Sequence, residues 1–306
     1  MPQSLESLTH RTDTLRSIRG IVRTMKTMSA INTQPYEQAA NSITTYRDIV
    51  LTALQAFMHK HGPLPHEKNL TSTPVIVALG SDHGLCGNYN EIIAAEVAAQ
   101  TATHVSNRII CVGAQMEDAL KGLGLSPEPA LLPPATAEGL GRLASELVAN
   151  LDNIDQSPGV DTIDATLVYT RRAEQGQQFP VSQCLLPVDQ SLLDRLADAP
   201  WISNSLPQFN PPAEELLAAL IRNLLFADLY CAAAEALVTE NSARLERMQQ
   251  AEHSVDERLE ELSSETRTVR QSEITTELLD VIIGFEALKR QPRRKARHHV
   301  VTSPSH

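Results

Sequence analysis

LESLTHRTDTLRSIRGIVRTMKTMSAINTQPYEQAANSITTYRDIVLTALQAFMH, residues 5–59, is the stretch whose spacing decides the fold. Every seventh residue from Leu8 gives Leu8, Leu15, Val22, Ser29, Tyr36, Ile43, Val50 and Phe57. Three residues after each come Arg11, Ile18, Met25, Asn32, Ala39, Tyr46 and Ala53. A seven-residue repeat of this kind makes helices supercoil around one another. The spacing predicts one helix of roughly 80 Å at 1.5 Å per residue. The seam weakens at Ser29 and Asn32, and Pro35 removes a hydrogen bond, so a kink or distortion is expected there.

The far end of the chain repeats the pattern. After the turn-rich SNSLPQFNPPAEE (203–215), apolar residues return on the same two seam positions. They run from Leu217, Leu220, Leu224 and Ala227 through Cys231, Ala234 and Val238, with a polar interruption at Asn241. Leu245, Met248, Val255, Leu259, Leu262 and Val269 continue them. Near residue 270 the phase slips by one, and Ile274, Leu278, Val281, Phe285 and Leu288 follow; such a slip alters a supercoil locally without ending the helix. Pro211 and Pro212 stand where a helix start tolerates them.

Between the two helices the period changes. PVIVALG (74–80), RIICVG (108–113), IDATLVYT (163–170) and VSQCLLPV (181–188) are short apolar runs bounded by turn residues and read as strands. Helical patterns at about 88–101, 115–122 and 136–151 separate them, which predicts a small α/β domain with a mainly parallel sheet. The expected fold class is α+β: a long antiparallel coiled coil of the N- and C-terminal helices with an inserted small α/β (Rossmann-like) domain. The expected segments are 1–59 for the first helix, 60–210 for the inserted domain, 211–289 for the second helix and 290–306 for a basic, disordered tail. Together they describe a rod with a globular foot.

Composition excludes several functions. A net charge of −11 argues against a nucleic-acid binder. Cys86, Cys111, Cys184 and Cys231 are far apart, as expected of reduced thiols and not of a disulfide framework. Aromatic residues make up 4%, which favours helices packed through small aliphatic side chains. No apolar run is expected to reach the length of a membrane span, and MPQSLESLTHRTD lacks a signal-peptide core, so membrane association is expected only through a partner.

The search for chemistry leaves open alternatives. GSDHGLCGN (80–88) lies between a strand and a helix, where phosphate loops occur, but its glycines have neither nucleotide-binding spacing, and a tight turn needing positive φ is the other reading. Asp82 and His83 beside Cys86 suggest a nucleophile–base pair or a polar turn. His59, His61 and His66 are spaced like metal ligands or belong to a solvated loop. Glu252, Asp256, Glu257, Glu260, Glu261 and Glu265 form an acidic stripe, either a solvated face or a surface for a basic partner. KRQPRRKARHH (289–299) holds six Lys or Arg and two His, and reads as a disordered extension or a site for an acidic surface. No catalytic residue, cofactor or metal site is assigned. An α/β enzyme using the loop and a coiled-coil adaptor remain alternatives.

Three blocks carry a family resemblance. SIRGIVRTMKTMSA (17–30) resembles the N-terminal helix signature of the gamma subunits of F-type ATP synthases. SDHGLCGNYN (81–90) is similar to the SDRGLCGGxN of that family's middle domain, carried here by Ser81, Asp82, Gly84, Leu85, Cys86, Gly87 and Asn90. ENSARLERMQ (240–249) and RQSEITTELLDVIIGFEAL (270–288) resemble its terminal block. The resemblance implies a non-catalytic rotor shaft without cofactors. It implies that this shaft turns inside an alpha3-beta3 hexamer, coupling ion-driven rotation of a membrane c-ring to the beta-subunit sites. It further implies a foot that meets the c-ring and the epsilon subunit, on the cytoplasmic face of a bacterial or archaeal plasma membrane. By the same resemblance Met25, Lys26, Arg244, Arg270, Gln271 and Thr275 are beta-subunit contacts. The nearly uncharged INTQPYEQAA (31–40), the acidic balance and the basic tail resemble the divergent gamma of alternative, N-type, F-ATPases.

Overall fold

The computed structural model describes residues 4–62, 72–102, 107–158, 160–173, 178–201 and 203–290. His66 and the tail from residue 291 lie outside them. Helix α1 spans Leu5–His61 and helix α6 spans Ala213–Arg290. Between them come β1 (Ser72–Leu79), α2 (Tyr89–Thr101), β2 (Arg108–Val112), α3 (Ala114–Gly122), α4 (Leu140–Asp155), β3 (Thr162–Arg172), β4 (Gln178–Leu186) and α5 (Gln190–Asp198). The chain divides into two compact units, one of Val22–Ala251 and one of Met1–Ile21 with Glu252–His306.

The heptad reading of α1 predicts its burial. Leu8, Val22, Ser29, Tyr36, Val50 and Phe57 are buried, and Leu15 and Ile43 are half-buried. The second seam is weaker, with Ile18 and Tyr46 exposed. Pro35 does not end the helix. Proline has no amide hydrogen, so the carbonyl one turn before it goes unpaired within the helix, and packing on either side holds the helical path.

Within the unit 22–251, α1 and α6 pack antiparallel. Tyr36, Ala39 and Ala40 join the cluster containing Leu229 to Leu237, whereas Leu54, Phe57 and Met58 join Leu216, Leu217 and Leu220. Arg47 pairs with Asp228, and the Tyr46 hydroxyl bonds to Asn223 Oδ1 at 2.9 Å. Within the other unit, Arg19 pairs with Asp256 of the acidic stripe at 3.2 Å.

The sheet has the order β2-β1-β3-β4, with β1 parallel to β2 and β3. Side chains alternate across it. Val75, Val77 and Leu79 face α4 and α6, while Ile76 and Ala78 face α2 and α3. Strand β4 is antiparallel to β3, because a connection of a few residues is far too short for a parallel crossover. Helix α5 was not anticipated: it is short and lies between prolines, and Asp189 caps it by accepting the Ser191 amide at 3.0 Å.

The expectation about apolar runs needs correction. An 18-residue window of α6 reaches a mean hydropathy of 1.6, long and apolar enough by composition to cross a membrane. The structure supplies the reason for α6's apolar character: Leu225, Leu229, Ala232, Ala233, Ala236 and Leu237 pack into a cluster shared by the sheet, α4 and α1. A helix packed on several sides becomes apolar around much of its circumference, and the alanines let the backbones approach closely.

Candidate functional site

The loop 80–90 leaves the carboxyl end of β1 and enters α2, the edge where open α/β sheets bind ligands. Here the loop is fastened to the chain itself. The Ser81 amide donates to Asn90 Oδ1 at 2.9 Å, and Asn90 Nδ2 donates to Ser81 Oγ at 2.8 Å. Asp82 Oδ1 accepts the Ala114 amide at 3.2 Å, capping α3. The turn needs positive φ at Leu85 (67°) and Gly87 (70°). Gly80 is needed for a different reason, since a Cβ there would lie 2.4 Å from the Met116 Cβ.

Helix α6 closes over this loop. The buried Tyr89 hydroxyl donates to the Ala236 carbonyl at 2.9 Å. Arg244 Nη2 donates to the His83 carbonyl at 3.0 Å and to Glu240 Oε1 at 2.6 Å. A Cβ on Gly87 would lie 2.5 Å from Arg247 Nε, so the bare glycine makes room for that guanidinium. Burial raises the Glu240 carboxyl above its ordinary value, and Arg244 opposes the rise. The nearby void bounded by Leu79, Gly80 and Val112 measures about 10 Å³, room for roughly one water molecule. That void, lined on one side by Ala233, Ala236, Leu237 and Glu240 of α6, is too small for a phosphate.

Nucleophilic chemistry is disfavoured as well. Cys86 Sγ lies 3.4 Å from Ser81 Oγ, and burial raises its thiol, the opposite of what activates a cysteine. His83 is exposed, with Nδ1 3.8 Å from Asp82 Oδ2. His59 Nε2 bonds the Ala199 carbonyl at 3.0 Å, and the His61 ring stacks on Phe57 at 4.7 Å. Among the described residues no three His, Cys, Asp or Glu converge as metal ligands.

The remaining sequence candidates fall on the helices. Met25 and Lys26 are half-buried on α1, and Arg270, Gln271 and Thr275 are exposed on α6, with Thr275 Oγ1 bonded to the Gln271 carbonyl at 2.8 Å. Arg244 differs from the outward contact expected of it. Only 12% of its side chain is exposed, because the loop carbonyls and Glu240 hold it inside. Glu240, Tyr89 and Arg247 were not singled out from sequence. The four-residue spacing of Glu240 and Arg244 was the available signal for a helical ion pair.

Comparison with known proteins places these features. A family model described as ATP synthase matches residues 4–288. The ATP synthase gamma chain of Rhodopirellula baltica is 27% identical, covering 92% of this chain and 98% of the relative. That of Bacteroides thetaiotaomicron is also 27% identical, with the same coverage. A chain of the Euglena gracilis mitochondrial ATP synthase, solved with OSCP, F1 and c-ring, has the same fold at a TM-score of 0.61 and 18% identity, covering 96% of this chain and 99% of that one. A central-stalk chain of the Tetrahymena thermophila enzyme aligns at a TM-score of 0.54 and 18% identity over 76% of this chain and 99% of that one. With nearly the whole sequence matched and the coiled coil and small α/β domain in place, this chain belongs to the ATP synthase gamma family, the non-catalytic stalk subunits of the rotary F-type enzyme.

Proposed function

We propose that this chain turns inside an alpha3-beta3 hexamer and couples rotation of a membrane c-ring to conformational change at the beta-subunit sites. In this reading residues 1–59 and 211–289 form the shaft, and residues 60–210 form the foot that meets the c-ring and the epsilon subunit. The observation that carries it is the far part of α6. Residues 270–286 are exposed, and Ile274, Leu278, Leu279, Val281, Ile282, Ile283 and Phe285 each present half or more of their surface to solvent. A run of large apolar side chains this exposed is a surface for a partner. The hydrophobic interior of a ring of subunits is a partner of that kind.

Arg270, Gln271 and Thr275, with Met25 and Lys26, are assigned as contacts to beta-subunit loops. Arg244 is assigned to the joint between loop 80–90 and the shaft, supported by its ion pair with Glu240. The chain acts at the cytoplasmic face of a bacterial or archaeal plasma membrane, peripherally and through its partners. The nearly uncharged run 31–40 and the basic tail support the divergent N-type subclass. Co-expression with alpha and beta subunits tests the reading. Native isolation should recover all three with ATPase activity, and Arg270→Ala with Gln271→Ala should lower that activity while assembly survives. Failure to recover alpha and beta subunits sinks the shaft; unchanged turnover sinks the contact assignment alone.

A further inference from the structure

A cavity of about 1090 Å³ lies between the first turns of α6, the end of α4, the sheet ends of β3 and β4, and α5. It slightly exceeds the range of roughly 300–1,000 Å³ typical of small-molecule sites. Its floor is apolar, formed by the buried Leu54, Ile163, Leu193 and Leu225. Its charged lining is one-sided: Asp152, Asp155, Asp189 and Glu215 stand against Arg222 alone, a surplus of three negative charges. Arg222 is already committed to Asp152 at 2.6 Å. Among the described residues Asp155 and Glu215 have no ion-pair partner.

We propose that this cavity binds a small organic cation with an apolar body. The helix that ends at the cavity supplies a reason independent of the charge count. Asp152 and Asp155 occupy the last turn of α4, which has no basic residue. The C-terminus of a helix is its negative end and is stabilised by cations. Arg222 meets that preference only in part, through Asp152, and leaves Asp155 beside it without an ion-pair partner; a bound cation meets the rest. An anion of the same shape faces both the carboxylates and the dipole. A neutral polyol finds an apolar floor that offers it few hydrogen bonds. The site does not depend on the shaft reading.

The test uses the full-length chain and isothermal titration calorimetry with tetraphenylphosphonium and tetraphenylborate, ions of one shape and opposite charge. Tetraphenylphosphonium should bind at one ion per chain and tetraphenylborate should not. Asp155→Asn with Glu215→Gln should weaken cation binding on the order of tenfold. Ala218→Trp, at an exposed helical position on the cavity wall, should abolish it while circular dichroism shows the helices retained. Equal binding of both ions, or cation binding that survives Ala218→Trp in the folded chain, overturns the proposal.

Discussion

Arg244 and Glu240 form an ion pair at 2.6 Å with only 12% and 8% of their side chains exposed, and the same guanidinium holds the carbonyl of His83, about 160 residues earlier in the chain. One helical turn of the shaft thereby grips the loop of the inserted domain. The pair is withdrawn from water, so its two halves are not equivalent when removed. Arg244→Ala strands a buried carboxylate and should cost about 3 kcal/mol. Glu240→Gln leaves a neutral group of the same shape and should cost about 1 kcal/mol. The double variant should be more stable than Arg244→Ala alone. Denaturant unfolding of the four proteins measures the coupling, and strictly additive losses would refute the pair's role.

The second expectation concerns space. Gly87 combines a φ of 70° with a site where a Cβ meets Arg247 Nε at 2.5 Å. Gly87→Ala should destabilise by about 1–3 kcal/mol from backbone strain and displacement of the guanidinium. Part of that loss should return in Gly87→Ala with Arg247→Ala, where the crowding is relieved and only the backbone term remains. If the second change restores nothing, the guanidinium is not what fills the space above Gly87.

Burial gives the chain a pH dependence of defined sign. Asp228 is raised by burial against the opposing effect of Arg47, and Glu240 is raised by burial against Arg244. A carboxyl raised in the folded state takes up protons on folding, so its contribution is full below the unfolded value and is lost as pH rises through the folded one. Glu96 runs the other way: Ser182 and Gln100 lower it, and its contribution disappears as pH falls through its depressed value. Asp228→Asn should therefore flatten the decline in stability just above the ordinary carboxylate range and leave the acid side unchanged. Denaturation midpoints at stepped pH decide this, and an unaltered slope in the variant would count against it.

Thiol reactivity should follow burial. Cys184 is exposed, while Cys86 and Cys111 are buried, and burial with neighbouring Glu117 pushes the Cys111 thiol up to about 11. A maleimide applied to the native chain should label Cys184 first, as read by mass spectrometry. Cys86 and Cys111 should react only after denaturant is added. Early labelling of Cys111 would mean that the β2 face of the sheet opens readily.

The exposed apolar end of α6 should be indifferent to polarity as far as folding is concerned. Leu278→Ser with Ile282→Ser should change stability by no more than about 1 kcal/mol, since each side chain is more than half exposed. The same variant should assemble poorly with alpha and beta subunits, because the lost surface belongs to the interface. Normal assembly would remove that stretch from the proposed contact.

The sequence by itself determined the two long helices, the order of the strands and of the helices between them apart from α5, and the face of α1 that is buried. Those features are written in local spacing: Leu8, Val22, Tyr36, Val50 and Phe57 fall every seven or fourteen residues, and one helix geometry puts them on one side. It also marked the exposed end of α6 as apolar without saying what covers it. The tertiary structure alone decided that Arg244 points inward to His83 and Glu240, that β4 turns back antiparallel, and that α6 packs against the loop at the carboxyl edge of the sheet. Spacing along a chain fixes which face a residue occupies. Which distant carbonyl or carboxylate it meets there depends on how α6 and the sheet are brought together, and no local pattern carries that information.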